Sequence, residues 1–401
     1  MKDSHVISLT RIAILATFAC VFIIGCNPDK QNGSELTGKT FSIEIPELKN
    51  DNFQYNISDV FDLVEYIRLE SDTGLFISGE IIPKIKEYKN QIYLLDRNLK
   101  PGLNVGIGNI YKFDGKGVFL GKIGRMGNGP GEYLNTRDFD IWENELFISD
   151  VSTNKIIFHS LSGTFIKEIK SDFRFNVFNK LDANSYFFWL DNYNKHVTSE
   201  DNEVIMCDSS LQKITGIVNE DQKTNLISTN SFSVFNSLLY FRRYCNEKIH
   251  CIDKDGNISE FCNLKFDVKN KIPEELLVED MFKIENQIRE HNYARVYQYF
   301  ILKDYIYFEI KSREKHLLLF SKKTGRVKLI NAKNIVNDLD ETGSNINISG
   351  AVYESNTLIG YVCALDIVDN TKNPGTKITS LSEKISEEDN PVIVYYKIVD
   401  F

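Results

Sequence analysis

The residues of this chain best suited to chemistry are scattered rather than clustered. A Gly-rich stretch, GRMGNGPGEY (124–133), invites comparison with a phosphate-binding loop, which cradles phosphates on backbone N–H groups ahead of a helix. Such a loop needs Lys then Ser or Thr after its last glycine; here Glu132 and Tyr133 follow, and a strand pattern begins. The glycines suit a tight crossing between strands, where they permit positive φ. Arg125 and Glu132 are spaced to pair across that crossing, or to contact a ligand if the crossing lies on a rim. DKDGN (253–257) echoes the start of a calcium loop, yet no Glu stands at the twelfth position, and a hairpin turn is the better reading. His159, His196, His250, His291 and His316 show no paired ligand spacing, and no G-x-S-x-G elbow holds a nucleophilic serine. Carboxylate pairs such as Asp138 and Asp140 need geometry before they count as a glycosidase pair. Trp142 and Trp189 would stack a sugar if exposed, and belong to a core if not. Arg242 and Arg243 send one guanidinium to each face of a strand, or one toward a central channel, which makes them a candidate anion contact. No catalytic, cofactor-binding or metal-binding residue is assigned on these grounds, and no cofactor is expected.

What must position these residues is a repeated β unit: strand, polar break, strand ending near Asp or Ser, tight turn, strand. QIYLLD (91–96), NIYKFD (109–114) and VFLGKI (118–123) form the first copy, and later copies begin at Leu146, Ser185, Leu238, Tyr305 and Leu358. Gly and Asp mark the turns because tight hairpins need positive φ or side-chain closure onto the backbone. Short strands in repeats of roughly 40–65 residues predict radial repetition of sheets. Ile156, Ile157 and Phe158 are consecutive, which fits sheets packed on both faces better than a sandwich with one wet face. Six units are counted. A first strand is expected at 41–45, and strands within 60–88 are expected beside the C-terminal strand 392–399, closing the ring and leaving no exposed edge. A β-sandwich or two smaller β-domains is the rival reading.

One segment breaks the pattern. In 272–300, Leu276, Leu277, Met281, Phe282 and Ile288 recur at helical spacing, with Pro273 suited to a first turn. This predicts a helix of roughly 15–18 residues inserted between the fourth and fifth units. Glu285 and Arg289 on its outward side are candidate partner contacts. A second short helical patch is expected at 380–389.

The chain of 401 residues carries a net charge of −9, which argues against a nucleic-acid partner, since that needs a basic footprint. Its start has Lys2 and Arg11, then an apolar run from 12 to 25. Ile23-Ile24-Gly25-Cys26 fits a lipoprotein cleavage box, so 1–25 is expected to be a signal peptide, Cys26 the lipid attachment site, 26–40 a polar tether and 41–401 the folded domain. An N-terminal membrane anchor is the alternative, although the run is shorter than the roughly 20 residues a span needs. Beyond Cys20 and Cys26, the remaining Cys207, Cys245, Cys251, Cys262 and Cys363 read as mostly buried apolar residues, not a disulfide framework.

Taken together, GPGEY (129–133), the strand-Asp-strand-Gly unit, IPEELL (272–277) and NPVIVYYKI (390–398) resemble the six-bladed β-propeller lipoproteins of Gram-negative gut anaerobes. That family falls in the TolB-like propeller class, distantly related to NHL-repeat propellers. The resemblance implies an all-β, six-bladed β-propeller with a short helical insertion between blades 4 and 5. It also implies a lipid-anchored place in the cell envelope, at the outer membrane, facing periplasm or surface. It implies no activity. Two functions stand: a non-catalytic binding platform for an envelope protein, peptide or glycan, and a hydrolase or lyase working on an extracellular polymer from the central funnel. The side chains that line the channel discriminate between them.

Overall fold

The consecutive apolar residues of strand Lys155–Ser160 are divided between two cores. Ile156 and Phe158 pack with Phe178, Tyr186 and Phe188 of the following sheet, while Ile157 packs with Tyr93 and Leu95 of the preceding one. Side chains alternate along a strand, so a sheet buried on both faces reads as an unbroken apolar run. The computed structural model that shows these contacts describes residues 40–49, 53–71, 75–77, 82–98, 107–190, 202–219, 232–243, 245–277, 279, 281–339, 346–370 and 385–401.

Six antiparallel sheets form the blades of a six-bladed β-propeller. Blade 1 runs from its inner strand Lys84–Tyr88 through Gln91–Asn98 and Ile107–Asp114 to the outer strand Phe119–Ile123. The inner strands of blades 2 to 6 are Thr136–Trp142, Phe175–Lys180, Phe232–Phe235, Arg295–Ile301 and Asn347–Val352. Among the described residues, six apolar cores each fill one junction between neighbouring blades.

The ring closes as the sequence predicts. Blade 6 takes Asn347–Val352, Thr357–Val362 and Val392–Ile398 from the C-terminal part, and its outer strand Phe61–Arg68 from the other end of the chain. Val392 pairs with Arg68 and Ile398 with Phe61 in antiparallel register. Val392, Val394 and Tyr396 pack toward blade 5, and Ile393 and Tyr395 toward blade 1. The rest of the stretch expected beside the C-terminal strand goes elsewhere, since Lys84–Tyr88 opens blade 1. Phe41–Ile45 adds a fifth, parallel strand to the outer edge of blade 4, Phe41 opposite Cys262 and Ile45 opposite Phe266. That edge is thereby covered.

The turns are built alike. Asp114, Asp208 and Asp253 each accept backbone N–H groups two and four residues on, at 2.8–3.0 Å. DKDGN is therefore one of a set of hairpin turns, its carboxylate used to close the backbone.

The insertion is shorter than expected. A 3-10 turn, Glu274–Leu276, precedes helix α1, Met281–His291. Ile284 and Ile288 pack with Cys245 and Ile272 in a satellite core, with Leu276 and Leu277 at its margin. Arg313 donates to the carbonyls of Arg289 and Glu290, which lie at the helix end that lacks intrahelical partners. The helical patch expected at 380–389 is a turn over 385–389, its remainder lying outside the described residues; a short helix α2 forms earlier, at Ala364–Asn370. Cys207, Cys245, Cys251 and Cys262 are buried and Cys363 is partly buried, as apolar residues would be. The signal, Cys26 and the tether to residue 39 lie outside the described residues. Among the described residues no helix is long and apolar enough to cross a membrane.

Candidate functional site

Polar residues two apart on an inner strand lie on one face. Lys84 meets Asp138, and Lys86 meets Asp140, both across 54 residues; Arg137 meets Asn176, and Asp140 meets Asn179, both across 39. Constant offsets mean that the first three inner strands run side by side in one direction around the axis. Inner strands of all six blades line a cavity there of about 380 Å³. That is the size of a small-molecule site, too small for a folded partner.

A charged network fills one side. Lys84 Nζ donates to Asp138 Oδ1 at 3.0 Å and to Asp140 Oδ2 at 3.3 Å, and Lys86 Nζ donates to Asp140 Oδ1. Asn179 Nδ2 adds a hydrogen bond to Asp140 Oδ2 at 2.9 Å, and the N–H of Ile141 one to Oδ1 at 2.7 Å. Burial works against ionisation of Asp140, but Lys84, Lys86 and these donors outweigh it and hold its carboxyl well below the usual range. Asp138 goes the other way: burial raises its pKa, Lys84 offsets only part of that, and the Asp140 charge adds to it. For Lys84 burial favours loss of the proton, yet the two carboxylates win and its pKa is raised.

The other side is built of rings and small side chains. Phe232, Phe235 and Phe300 come from blades 4 and 5, and Ser349 to Val352 from blade 6. Tyr353 follows the blade 6 inner strand and reaches Ser233 of blade 4, its Oη 3.1 Å from Ser233 Oγ and its ring 5.7 Å from that of Phe235. Trp142 sits at the wall with Lys180 Nζ 3.8 Å from its ring centre. Lys180 has Glu145 at 3.7 Å, and burial lowers its pKa. Gly350 is the seam between the two sides: a Cβ there would lie 2.1 Å from the carbonyl oxygen of Ile85.

The model of a family described as a domain of unknown function, DUF4934, matches residues 40–397, the span of the propeller. The chain belongs to the DUF4934 family. Its fold is similar to that of a Bacteroides fragilis protein that carries the name of an exported protein, with a TM-score of 0.73 at 16% identity, covering 90% of this chain and 100% of that one. A member of the DUF4221 family from Bacteroides vulgatus matches with a TM-score of 0.48 at 12% identity, over 85% of this chain and 98% of that one. No curated protein matches the sequence.

The DUF4934 domain brings Asp138 and Asp140 together with Lys84, Lys86, Asn179 and Tyr353, four residues that sequence reasoning missed. Lys-x-Lys in KIKEY (84–88) and Asp-x-Asp in RDFDI (137–141) were the available signal, matched period-two pairs on neighbouring strands. The candidate contacts Arg125, Glu132, Arg242, Arg243, Glu285 and Arg289 do not line this cavity. Arg125 Nε pairs with Glu132 Oε1 at 2.5 Å, and Glu132 Oε2 accepts the N–H of Gly129 at 2.7 Å, so that carboxylate folds the crossing between blades 1 and 2. Those bonds, the backbone one first, lower the Glu132 pKa. Gly124 and Gly131 take positive φ in the same crossing. Arg242 is fully buried and donates to the carbonyls of Arg243 and Val296 at 2.8 and 2.7 Å, tying blade 4 to blade 5. Arg243 lines a separate cleft of about 210 Å³ beside the insertion. Glu285 bonds Arg295 at 2.7 Å, while Arg289 is exposed and donates to Asn286 of its own helix. Trp189 is buried between blades 3 and 4. Among the described residues no group of three His, Cys, Asp or Glu is placed to hold a metal.

Proposed function

We propose that this DUF4934 protein is a non-catalytic binding protein of the cell envelope that takes a small ligand into its axial cavity. One observation carries the reading: both carboxylates of the charged cluster, Asp138 and Asp140, are held by lysine ammonium groups, so the polar centre is arranged to make hydrogen bonds rather than to pass protons. The rings and small side chains opposite supply the apolar remainder of an ordinary ligand site. Envelope placement is supported by the cleavage box ending at Cys26, the polar tether behind it and the name of the Bacteroides fragilis neighbour. Lipid on Cys26 would anchor the protein to a membrane, and Cys26→Ser should move it to the soluble fraction; an unchanged distribution removes the anchor from the proposal.

The cavity assignment is tested by filling it. Wild type and Ser233→Trp are isolated from their native envelope, and the small molecules each retains are compared by mass spectrometry. Wild type should keep a ligand that the folded Trp variant loses. Equal retention by both would place the ligand elsewhere. A hydrolase or lyase is the second reading, favoured by Asp138, whose pKa burial raises and whose Oδ2 accepts no hydrogen bond among the described residues. Recovery of a chemically altered ligand, altered by wild type and not by Asp138→Asn, would move the assignment there.

A further inference from the structure

The hydrogen-bonding inventory of the cavity specifies more than its size. An ammonium has three N–H donors and a carboxamide nitrogen two. Lys84 spends donors on Asp138 and Asp140, and Lys86 on Asp140 alone. Asn179 Nδ2 spends one on Asp140. Asp138 Oδ1 accepts from Lys84 and from the N–H of Phe139, which leaves Oδ2 as an open acceptor among the described residues. Lys84, Lys86 and Asp138 keep 23%, 27% and 18% of their side chains accessible, so these unused positions can be reached. The cluster therefore offers several donors interleaved with one strong acceptor.

Its charge narrows the choice. Within the cluster two carboxylates and two ammoniums balance; the cavity wall also carries Lys180, which faces Glu145, and Glu87 and Glu354. A partly buried cluster penalises any net charge added to it. A cationic ligand drawn to Asp138 would stand beside Lys84, which lies 3.0 Å from that carboxylate. An anionic ligand drawn to Lys84 or Lys86 would meet Asp138 and Asp140. A hydroxyl donates and accepts at once and carries no charge, so neighbouring hydroxyls can accept a lysine N–H and donate a hydrogen bond to Asp138 Oδ2 together. Across the cavity Phe235, Phe300 and Val352 present an apolar surface, suited to the C–H face of a ring whose edge is hydroxylated.

We infer that the ligand of the axial cavity is a neutral, polyhydroxylated ring, a pyranose-type sugar of one or two units, held by Lys84, Lys86, Asn179 and Asp138 along its hydroxyl edge. This rests on the cavity reading above and adds the ligand class to it. The probes are the methyl glycosides of glucose, galactose and mannose, with glucuronate and glucosamine as charged rings of similar size. Binding to the full chain is read by tryptophan fluorescence, since the sequence has two tryptophans and Trp142 stands at the cavity wall while Trp189 is buried. At least one neutral glycoside should saturate the signal, about tenfold or more tighter than both charged rings, and Asp138→Asn and Lys86→Met should each weaken it about tenfold. Lys86 is the more accessible of the two and serves if Asp138→Asn fails to fold. No response to any neutral glycoside, or tighter binding of a charged ring, overturns the inference. If the Ser233→Trp comparison still shows a ligand lost from the cavity, only the sugar class has failed; if it does not, the cavity reading has failed with it.

Discussion

Blades 1 to 3 and blades 4 to 6 have the same architecture and face the same cavity, yet they furnish it differently. The first three contribute Lys84, Lys86, Asp138, Asp140 and Asn179; the last three contribute mainly phenylalanines, serines and the small residues around Gly350, with the carboxylate of Glu354 beside them. Nothing in the cores explains this division, because every junction between blades is filled by the same kinds of apolar side chain. Strand geometry fixes where a lining residue stands, and the residue's identity is left free to serve a ligand. One polar half and one apolar half suit a ligand that is itself two-faced.

The largest effect is expected where the halves meet. Gly350→Val puts a branched side chain where even a Cβ would stand 2.1 Å from the Ile85 carbonyl, so the inner strands of blades 6 and 1 must separate. A loss of about 3 kcal/mol follows from overpacking of this kind, measured by denaturant unfolding. A change below about 1 kcal/mol would mean that the two halves are not locked together at this seam.

The charged half should answer to substitution and to pH in a way the apolar half does not. Lys84→Met leaves two partly buried carboxylates without their shared ammonium. Removing one partner of a buried pair costs about 3–5 kcal/mol, and partial exposure here reduces that to about 2 kcal/mol. Adding Asp138→Asn should restore more than half of the loss, and a strictly additive double variant would show that Lys84 does not couple to Asp138. The two carboxyls carry opposite signs in pH. Asp140 has a depressed pKa, so its contribution is complete above the ordinary carboxylate value of about 3.9 and is lost as pH falls below it. Asp138 has a raised pKa, so its ionisation costs stability as pH rises from about 3.9 through its raised folded value, on the opposite side of the ordinary carboxylate value. Asp140→Asn should therefore flatten the acid limb of the stability curve, and Phe235→Leu on the apolar half should leave its shape unchanged.

How much of this the sequence disclosed differs between the outer and inner strands. Turn residues such as Asp114 and Asp253, and the apolar runs beside them, made the outer three strands of each blade readable, and Val392–Ile398 could be matched to a closing role from its length and composition. Most of the inner strands escaped. TRDFDIW, FNVFNK and NISGAV mix polar with apolar residues because the axis needs both, and they follow crossings of unequal length, so neither periodicity nor turn spacing marks them. Of the candidate site only Asp138 and Asp140 stood out, as a carboxylate pair that needed geometry, and their partners Lys84, Lys86 and Asn179 were missed. Tyr353 stands in a 3-10 turn and is one of 19 tyrosines, with no local pattern to single it out. In the insertion, Leu276 and Leu277 satisfy helical spacing, but they belong to a separate turn that packs on the same satellite core as α1.

Helix α1 lies on a blade edge outside both halves, and its two candidate charges calibrate the rest. Glu285 bonds Arg295, the first residue of the blade 5 inner strand, whose side chain keeps only 10% of its surface exposed. Glu285 itself is about one-third exposed, so solvent screens the pair, and Glu285→Ala is expected to cost about 1 kcal/mol. Arg289 is fully on the surface and donates to Asn286 Oδ1 within its own helix at 2.8 Å, a bond that water can replace. Arg289→Ala should stay within about 0.5 kcal/mol of wild type. Neither change should alter what the cavity retains, because neither residue lines it. The sequence pattern gives the two charges equal standing on the outward face of the helix, whereas the fold makes one an anchor and the other a spectator. Thermal unfolding of the two single variants decides the matter. Equal, negligible losses would mean that Arg295 does not depend on Glu285, and that Ile284, Ile288 and the Arg313 hydrogen bonds hold the insertion on the disc without it.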